Sequence, residues 1–268
     1  MKSVGVDIGA LFLKAVAVDA EGNLLGTFYQ RHFGEPGDVL SDAIEALSIN
    51  SEDAICFSGC NGEFFARSLK APFREVTLCQ VDAMRKLPPD TKFIMDIGGA
   101  SATLIQLDGE GKLQGYSTNS LCAAGTGSFL DEQANRLGIS YEDTESFLHN
   151  PNPPTIATRC TVFAKSDLIH RQQEGCSRGD MWSGLCRGMT RTLTGTLLSG
   201  RPLDGKTLVI GGVALNQEIV RWLEVAYPDL IHVPENPHLW GALGATRHAE
   251  KPSNSLAVLA GAGTGKTR

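Results

Sequence analysis

Residues 93–99 read FIMDIGG, an apolar run that ends in one acid and then a glycine turn. The N-terminus repeats the device: KSVGVDI at 2–8 is closed by Gly9. Both runs read as strands with a sharp turn behind them. A second strand follows each turn, at Lys14–Val18 and at Ala102–Leu107. Each of these leads into a hairpin turn, at Glu21-Gly22-Asn23 and at Asp108–Gly111. One such turn is common by chance. Two copies, with Asp7 and Asp96 89 positions apart, point to duplicated lobes that each aim a loop at a shared cleft. An acid at a strand end beside a glycine turn suits a hydrated divalent cation and neighbouring phosphates.

The remaining landmarks fit an α/β chain. Residues 37–48 carry helical spacing, Asp53–Phe57 reads as a strand, and Ser58–Gly62 as a turn. Val81–Lys86 reads as a helix, and Pro88-Pro89-Asp90 as a hinge between lobes. A third glycine turn ends the strand at Thr207–Gly212 and continues through Asn216 into a helix reaching about Ala226. Leu239–Ala245 begins a small-residue helix able to pack closely. Three strand-terminal glycine turns around one cleft can offer backbone N–H groups to a polyphosphate. The third can also approach a purine base. Three unrelated strand–helix turns would supply the same glycines, but not the duplicated acid.

Two cysteines stand apart from the other five. NSLCAAGTGSFLDEQANRLGI at 119–139 places Cys122 before the loop Gly125-Thr126-Gly127. A helix follows, with Ser128 as N-cap, Asp131 and Glu132 in the first turn and Gly138 as its stop. Cys160 likewise directly precedes a helical pattern that stops at Gly175. A helix N-terminus behind a glycine loop suits anions, and a thiolate there is stabilised and can ligate a soft metal. Cys56 and Cys60, on a strand and a turn, read as buried thiols. Seven cysteines are an odd set, which fits metal ligation or buried thiols better than a disulfide framework.

Of the 268 residues 42% are apolar, enough for one large core or two ordinary ones. The net charge of −6 argues against nucleic acid or an anionic membrane surface as partner. No apolar run approaches the roughly 20 residues that span a bilayer. The start, MKSVGVDIGA, reads as strand and turn, so the expected location is the cytoplasm.

The set GVDIG (5–9), DIGG (96–99), LCAAGTGSFL (121–130), RCTVFAKS (159–166), GGVALN (211–216) and GALGA (241–245) resembles the activator ATPases of 2-hydroxyacyl-CoA dehydratases and benzoyl-CoA reductases. The match runs from about residue 3 to 248, in order. It implies the two-lobed actin, sugar-kinase and Hsp70 fold, ribonuclease H-like, with nucleotide in the inter-lobe cleft. Lobe one would be residues 1–88, with 239–250 returning to it, and lobe two 89–238. The resemblance implies an ATP-dependent electron-transfer activator that hydrolyses ATP. Asp7 and Asp96 would organise Mg²⁺ and the attacking water. Gly9, Lys14, Gly98, Gly99, Gly125, Thr126 and Gly127 would line the phosphates, and Gly211, Gly212 and Asn216 the adenosine. Cys122 and Cys160 from each of two subunits would hold one 4Fe-4S cluster on the axis of a homodimer. The implied partners are an iron–sulfur dehydratase or reductase and a ferredoxin or flavodoxin as electron donor.

The chain departs from the family pattern near the phosphates. Ala10 and Leu11 replace hydroxyl residues, Ala100-Ser101-Ala102 replaces Gln-Asp-Ser, Ser128 an arginine and Lys165 an acid. Cluster binding is therefore the better supported half, and slow turnover is expected. Two other readings stay open: a sugar or other small-molecule kinase of the same fold with incidental cysteines, and a nucleotide-binding regulator without turnover. The tail 255–268, SLAVLAGAGTGKTR, carries a phosphate-loop signature that resembles superfamily 1 helicases. No helix or acid-bearing strand follows it, so residues 251–268 are expected to be a linker and a boundary or truncation remnant without a phosphate site.

Overall fold

The computed structural model describes residues 1–83, 90–119, 126–141 and 152–254. They fall into two compact units, Met1–Pro88 with His238–Arg268, and Pro89–Pro237. Residues 88 and 89 of the expected hinge and the tail from 255 lie outside the described residues.

The first unit is built on a four-stranded sheet. β1 (Ser3–Ile8), β2 (Phe12–Val18) and β3 (Leu24–Arg31) form an antiparallel meander. After α1 (Pro36–Ala46), β4 (Ala54–Ser58) adds parallel to β1, which gives the order β3-β2-β1-β4. Val4, Val6 and Ile8 are buried on β1, and Ile55 and Phe57 on β4, against Leu40, Ala43, Phe65 and Leu69. These last two belong to α2 (Gly62–Leu69). α3 (Val76–Asp82) begins at Val76, earlier than the helix read at 81–86. Its buried Cys79 packs with Cys56 and Ala245, and that packing, invisible in local spacing, sets where the helix lies.

A short helix at Trp240–Ala245 closes this unit. A Cβ on Gly5 would strike the Ala242 carbonyl, and one on Gly244 would strike the Cys79 carbonyl. Small residues therefore let this helix lie on β1 and on α3 at backbone distance. Gly244→Ala is expected to lower the unfolding free energy by about 1–3 kcal/mol, the usual cost of overpacking. Chemical denaturation measures this, and an unchanged midpoint would contradict the close approach. Residues 252–254 do not hang free: Asn254 donates from its amide N–H to Leu69 and from Nδ2 to Ser68.

The second unit repeats the plan. β5 (Thr91–Ile97), β6 (Ala102–Leu107) and β7 (Leu113–Thr118) form the antiparallel meander, and β8 (Lys206–Ile210) joins parallel to β5. A two-residue strand, β9 (Ile231–His232), completes the order β7-β6-β5-β8-β9. The duplication legible as Asp-Ile-Gly thus extends to strand direction. In each sheet the acid-tipped strand lies between an antiparallel and a parallel neighbour.

Among the described residues α4 (Gly127–Leu137), α5 (Thr161–Gln173), α6 (Arg178–Leu198) and α7 (Gln217–Ala226) share one apolar core with this sheet. α4 ends at Gly138 with φ +61°, as its stop requires. Gly175, with φ +85°, follows α5. The start of α4 corrects the sequence reading. Thr126 is the N-cap, not Ser128, and Asp131 and Glu132 fall beyond the first turn. Asp131 instead accepts from the Tyr141 hydroxyl, and Glu132 pairs with Lys165 of α5. α6 had no counterpart in the sequence reading, although it is the longest described helix. Ser177 caps it by accepting from the Asp180 N–H, and Trp182, Leu185, Met189, Leu193 and Leu197 bury one face.

Candidate functional site

Asp7 sits at the end of β1 and is 4% exposed. Lys14 lies opposite it in register on β2, and its Nζ is 2.8 Å from Oδ2. Oδ1 is buried without a hydrogen-bond partner among the described residues. Two backbones come up against this carboxylate: a Cβ on Gly59, which has φ +84°, would overlap Oδ1, and one on Gly241 would crowd Oδ2. A buried carboxylate oxygen with no donor of its own is the group that a hydrated cation satisfies.

The turn after Asp7 is internally closed. Gly9 donates to the Phe12 carbonyl at 3.0 Å, and the Gly9 carbonyl accepts from Asn61 Nδ2 at 3.0 Å. His32 Nε2 lies 3.1 Å from the same oxygen. Cys60, read as a buried thiol, is instead exposed as a residue. Its sulfur remains covered enough that desolvation, and then the Asp7 carboxylate, raise its pKa.

Asp96 on β5 is half-buried and stands opposite Thr103 rather than a lysine, but it repeats one contact of Asp7. A Cβ on Gly211, with φ +90°, would overlap Asp96 Oδ1 and approach the Ile97 carbonyl, as Gly59 does for Asp7 and Ile8. Gly98 donates to the Ser101 carbonyl at 2.8 Å, matching the Gly9 bond. The start of α4 is stapled to this turn, because Gly127 and Ser128 donate to the Gly98 and Gly99 carbonyls at 2.9 and 2.8 Å. A Cβ on Gly127 would meet Val213 and Gly99. The second unit therefore gathers Gly98, Gly99, Thr126, Gly127 and the Gly211–Asn216 turn at one place. The N–H groups of Gly9, Gly98, Gly127 and Gly211 are all spent inside the unit that holds them. These glycines give the turns their shape. The first N–H groups of α4, expected to face an anion, are partly consumed in the same way.

Asn216 also works structurally. Its Oδ1 accepts from the N–H groups of Glu218 and Ile219 and caps α7. The sequence reading missed the residue beside it. Glu218 is fully buried, and its carboxylate takes Arg221 Nε and Nη2 at 2.8 and 2.6 Å, Trp222 Nε1 at 2.7 Å and the Ser183 hydroxyl. The signal available in sequence was an acid, an arginine and a tryptophan at helical spacing on an otherwise apolar face.

Cys160 is the N-cap of α5, half-buried, and its thiol makes no cap hydrogen bond. Cys122 and Gly125 lie outside the described residues. Other thiols are held neutral by burial: desolvation pushes Cys56 up to about 12, Cys79 up to about 11 and Cys186 well above its ordinary value. A half-buried thiol that makes no cap hydrogen bond, at the start of a thirteen-residue helix, fits a soft-metal ligand, and those buried thiols do not. Among the described residues no three His, Cys, Asp or Glu side chains gather as a metal site, and no helix is long and apolar enough to cross a membrane.

Residues 4–249 match the BadF/BadG/BcrA/BcrD ATPase family. The activator of lactoyl-CoA dehydratase from Anaerotignum propionicum is 30% identical over 254 residues, covering 93% of this chain and 97% of that protein. The 2-hydroxyisocaproyl-CoA dehydratase activator of Clostridioides difficile is 33% identical over 172 residues, 64% of each chain. A solved structure of the Clostridium difficile activator with bound ADPNP superposes with a TM-score of 0.81 at 26% identity, covering 93% of this chain and 94% of that one. The two repeated mixed sheets are an α/β fold of the actin, sugar-kinase and Hsp70 kind.

Proposed function

The chain belongs to the BadF/BadG/BcrA/BcrD ATPase family, and from that membership we propose that it is an ATP-dependent activator that delivers an electron to an iron–sulfur 2-hydroxyacyl-CoA dehydratase or reductase. The observation that carries the proposal is the pair of matched acid cradles, Asp7 over Gly59 and Asp96 over Gly211. In this reading Asp7 and Asp96 hold Mg²⁺ and orient the attacking water, and Lys14 holds the Asp7 carboxylate in place. The turns at Gly9, Gly98–Gly99 and Gly125–Gly127 take the phosphates, and the turn at Gly211–Asn216 takes the adenosine.

A 4Fe-4S cluster, when bound, supplies one-electron chemistry. Cys122 and Cys160 from each of two chains are its proposed ligands, which makes the active form a homodimer. Ferredoxin or flavodoxin is the proposed donor. The relatives named as dehydratase activators, and the ADPNP bound by one of them, support this reading over a sugar kinase. Calorimetric titration with ADP and ATP tests the nucleotide half. The expected result is magnesium-dependent binding with slow phosphate release. Phosphoryl transfer to a sugar by an iron-free protein would favour the kinase instead.

A further inference from the structure

A run of polar contacts, wholly within the second unit, joins the Gly211–Asn216 turn to the segment that carries Cys160. It starts at Asn216, whose side chain fixes the first turn of α7. The buried Glu218 then ties α7 to α6 through Ser183, and to Trp222 through the indole N–H. Two guanidinium groups lie over the Trp222 ring, Arg221 at 4.1 Å and Arg187 of α6 at 5.5 Å from its centroid. Arg187 reaches further. Its Nη2 donates to the Pro153 carbonyl at 2.8 Å and lies 3.5 Å from Thr155 Oγ1.

Pro153 belongs to an irregular segment, 152–159, that leads directly into Cys160. This segment is fastened along its length. A Cβ on Gly184 would strike the Pro154 carbonyl, and one on Gly188 would crowd Thr158, so the segment lies against the bare backbone of α6. Thr158 and Thr192 hydroxyls are 2.8 Å apart, and Ala157 donates to Asp167 Oδ2 of α5 at 2.8 Å. Cys160 is therefore placed by α6 and by what moves the segment along it.

We propose that Arg187 is a positioning residue that couples the nucleotide turn to Cys160, so that nucleotide binding changes the exposure of that thiol. The proposal rests on the reading that the Gly211–Asn216 turn meets the nucleotide and that Cys160 is a ligand. Arg187 is suited to the task because one planar, multiply donating group engages an aromatic face and a carbonyl at once. A shift of α7 that moves Trp222 changes one contact at the expense of the other. The backbone that leads to Cys160 moves in consequence.

The test measures the alkylation rate of Cys160 by iodoacetamide in the iron-free full chain, read by peptide mass spectrometry, with and without saturating Mg-ADPNP. In the unsubstituted protein the nucleotide should change the rate by about fivefold or more, the lower end of ordinary coupling between sites. In Arg187→Ala the two rates should converge while calorimetry shows nucleotide affinity retained. Arg187→Lys keeps a cation and a donor and should restore most of the response. A merely structural arginine would change stability and the basal rate but leave the nucleotide response in place. An Arg187→Ala protein with the full response overturns the inference. A rate indifferent to nucleotide in the unsubstituted protein, with binding confirmed, also overturns it and leaves the nucleotide assignment standing. Failure to bind nucleotide at all would overturn the proposed function and the inference together.

Discussion

Asp7→Ala and Asp96→Ala are each expected to lower kcat for ATP hydrolysis by about 10²–10³-fold, the size of effect seen when one preorganised electrostatic group is removed from a transition state. Nucleotide affinity should change far less, because a group that acts on developing charge is felt in kcat before it is felt in ground-state binding. The two variants should differ in stability. Removing Asp7 removes the buried carboxylate now 2.8 Å from Lys14 Nζ. Asp7→Ala should therefore also shift the melting temperature. Steady-state kinetics with matched calorimetry measure both effects. Unchanged kcat in both variants would remove the acids from the chemistry.

The second large effect is expected at Cys160. Cys160→Ala should purify without iron and lose dimerisation, yet keep its fold, since the half-buried thiol makes no cap bond and α5 starts from backbone contacts. Cys176→Ala should keep both iron and dimer. Cys186→Ala should keep iron as well, although its thiol is fully buried and its loss should lower the melting temperature through packing. This set separates ligation from stability. A Cys160→Ala protein with its full iron content would show that the helix-capping thiol is no ligand.

The repeated core of the fold was legible because its physics is local. A strand, an acid and a glycine that must turn sharply leave a short signature, and both copies survive in sequence. The partner glycines beneath the acids, Gly59 and Gly211, were readable as turns but not as cradles, since that role depends on parallel pairing with β4 and β8. α6 escaped notice because Gly179, Gly184, Gly188 and Gly195 and a run of threonines depress helix propensity along it. Two of those glycines make room for the 152–159 segment, so the residues that hide the helix are the ones that serve it. Glu218 was invisible for a different reason. A buried carboxylate is tolerated only with its Arg221, Trp222 and Ser183 partners assembled, and Ser183 lies on another helix. The α4 start was misplaced by two residues because Thr126 and Ser128 are equally good caps in sequence, and the Gly98 and Gly99 carbonyls decide between them.

The most direct measurement of the central claim is the iron and acid-labile sulfide content of anaerobically purified protein, with its mass determined under native conditions. The family pattern assigns Cys122 and Cys160 of each chain as ligands, and a 4Fe-4S cluster takes four, so about four irons per two chains are expected. Four irons held by a single chain, or an iron-free protein that still binds and turns over ATP, would contradict the account.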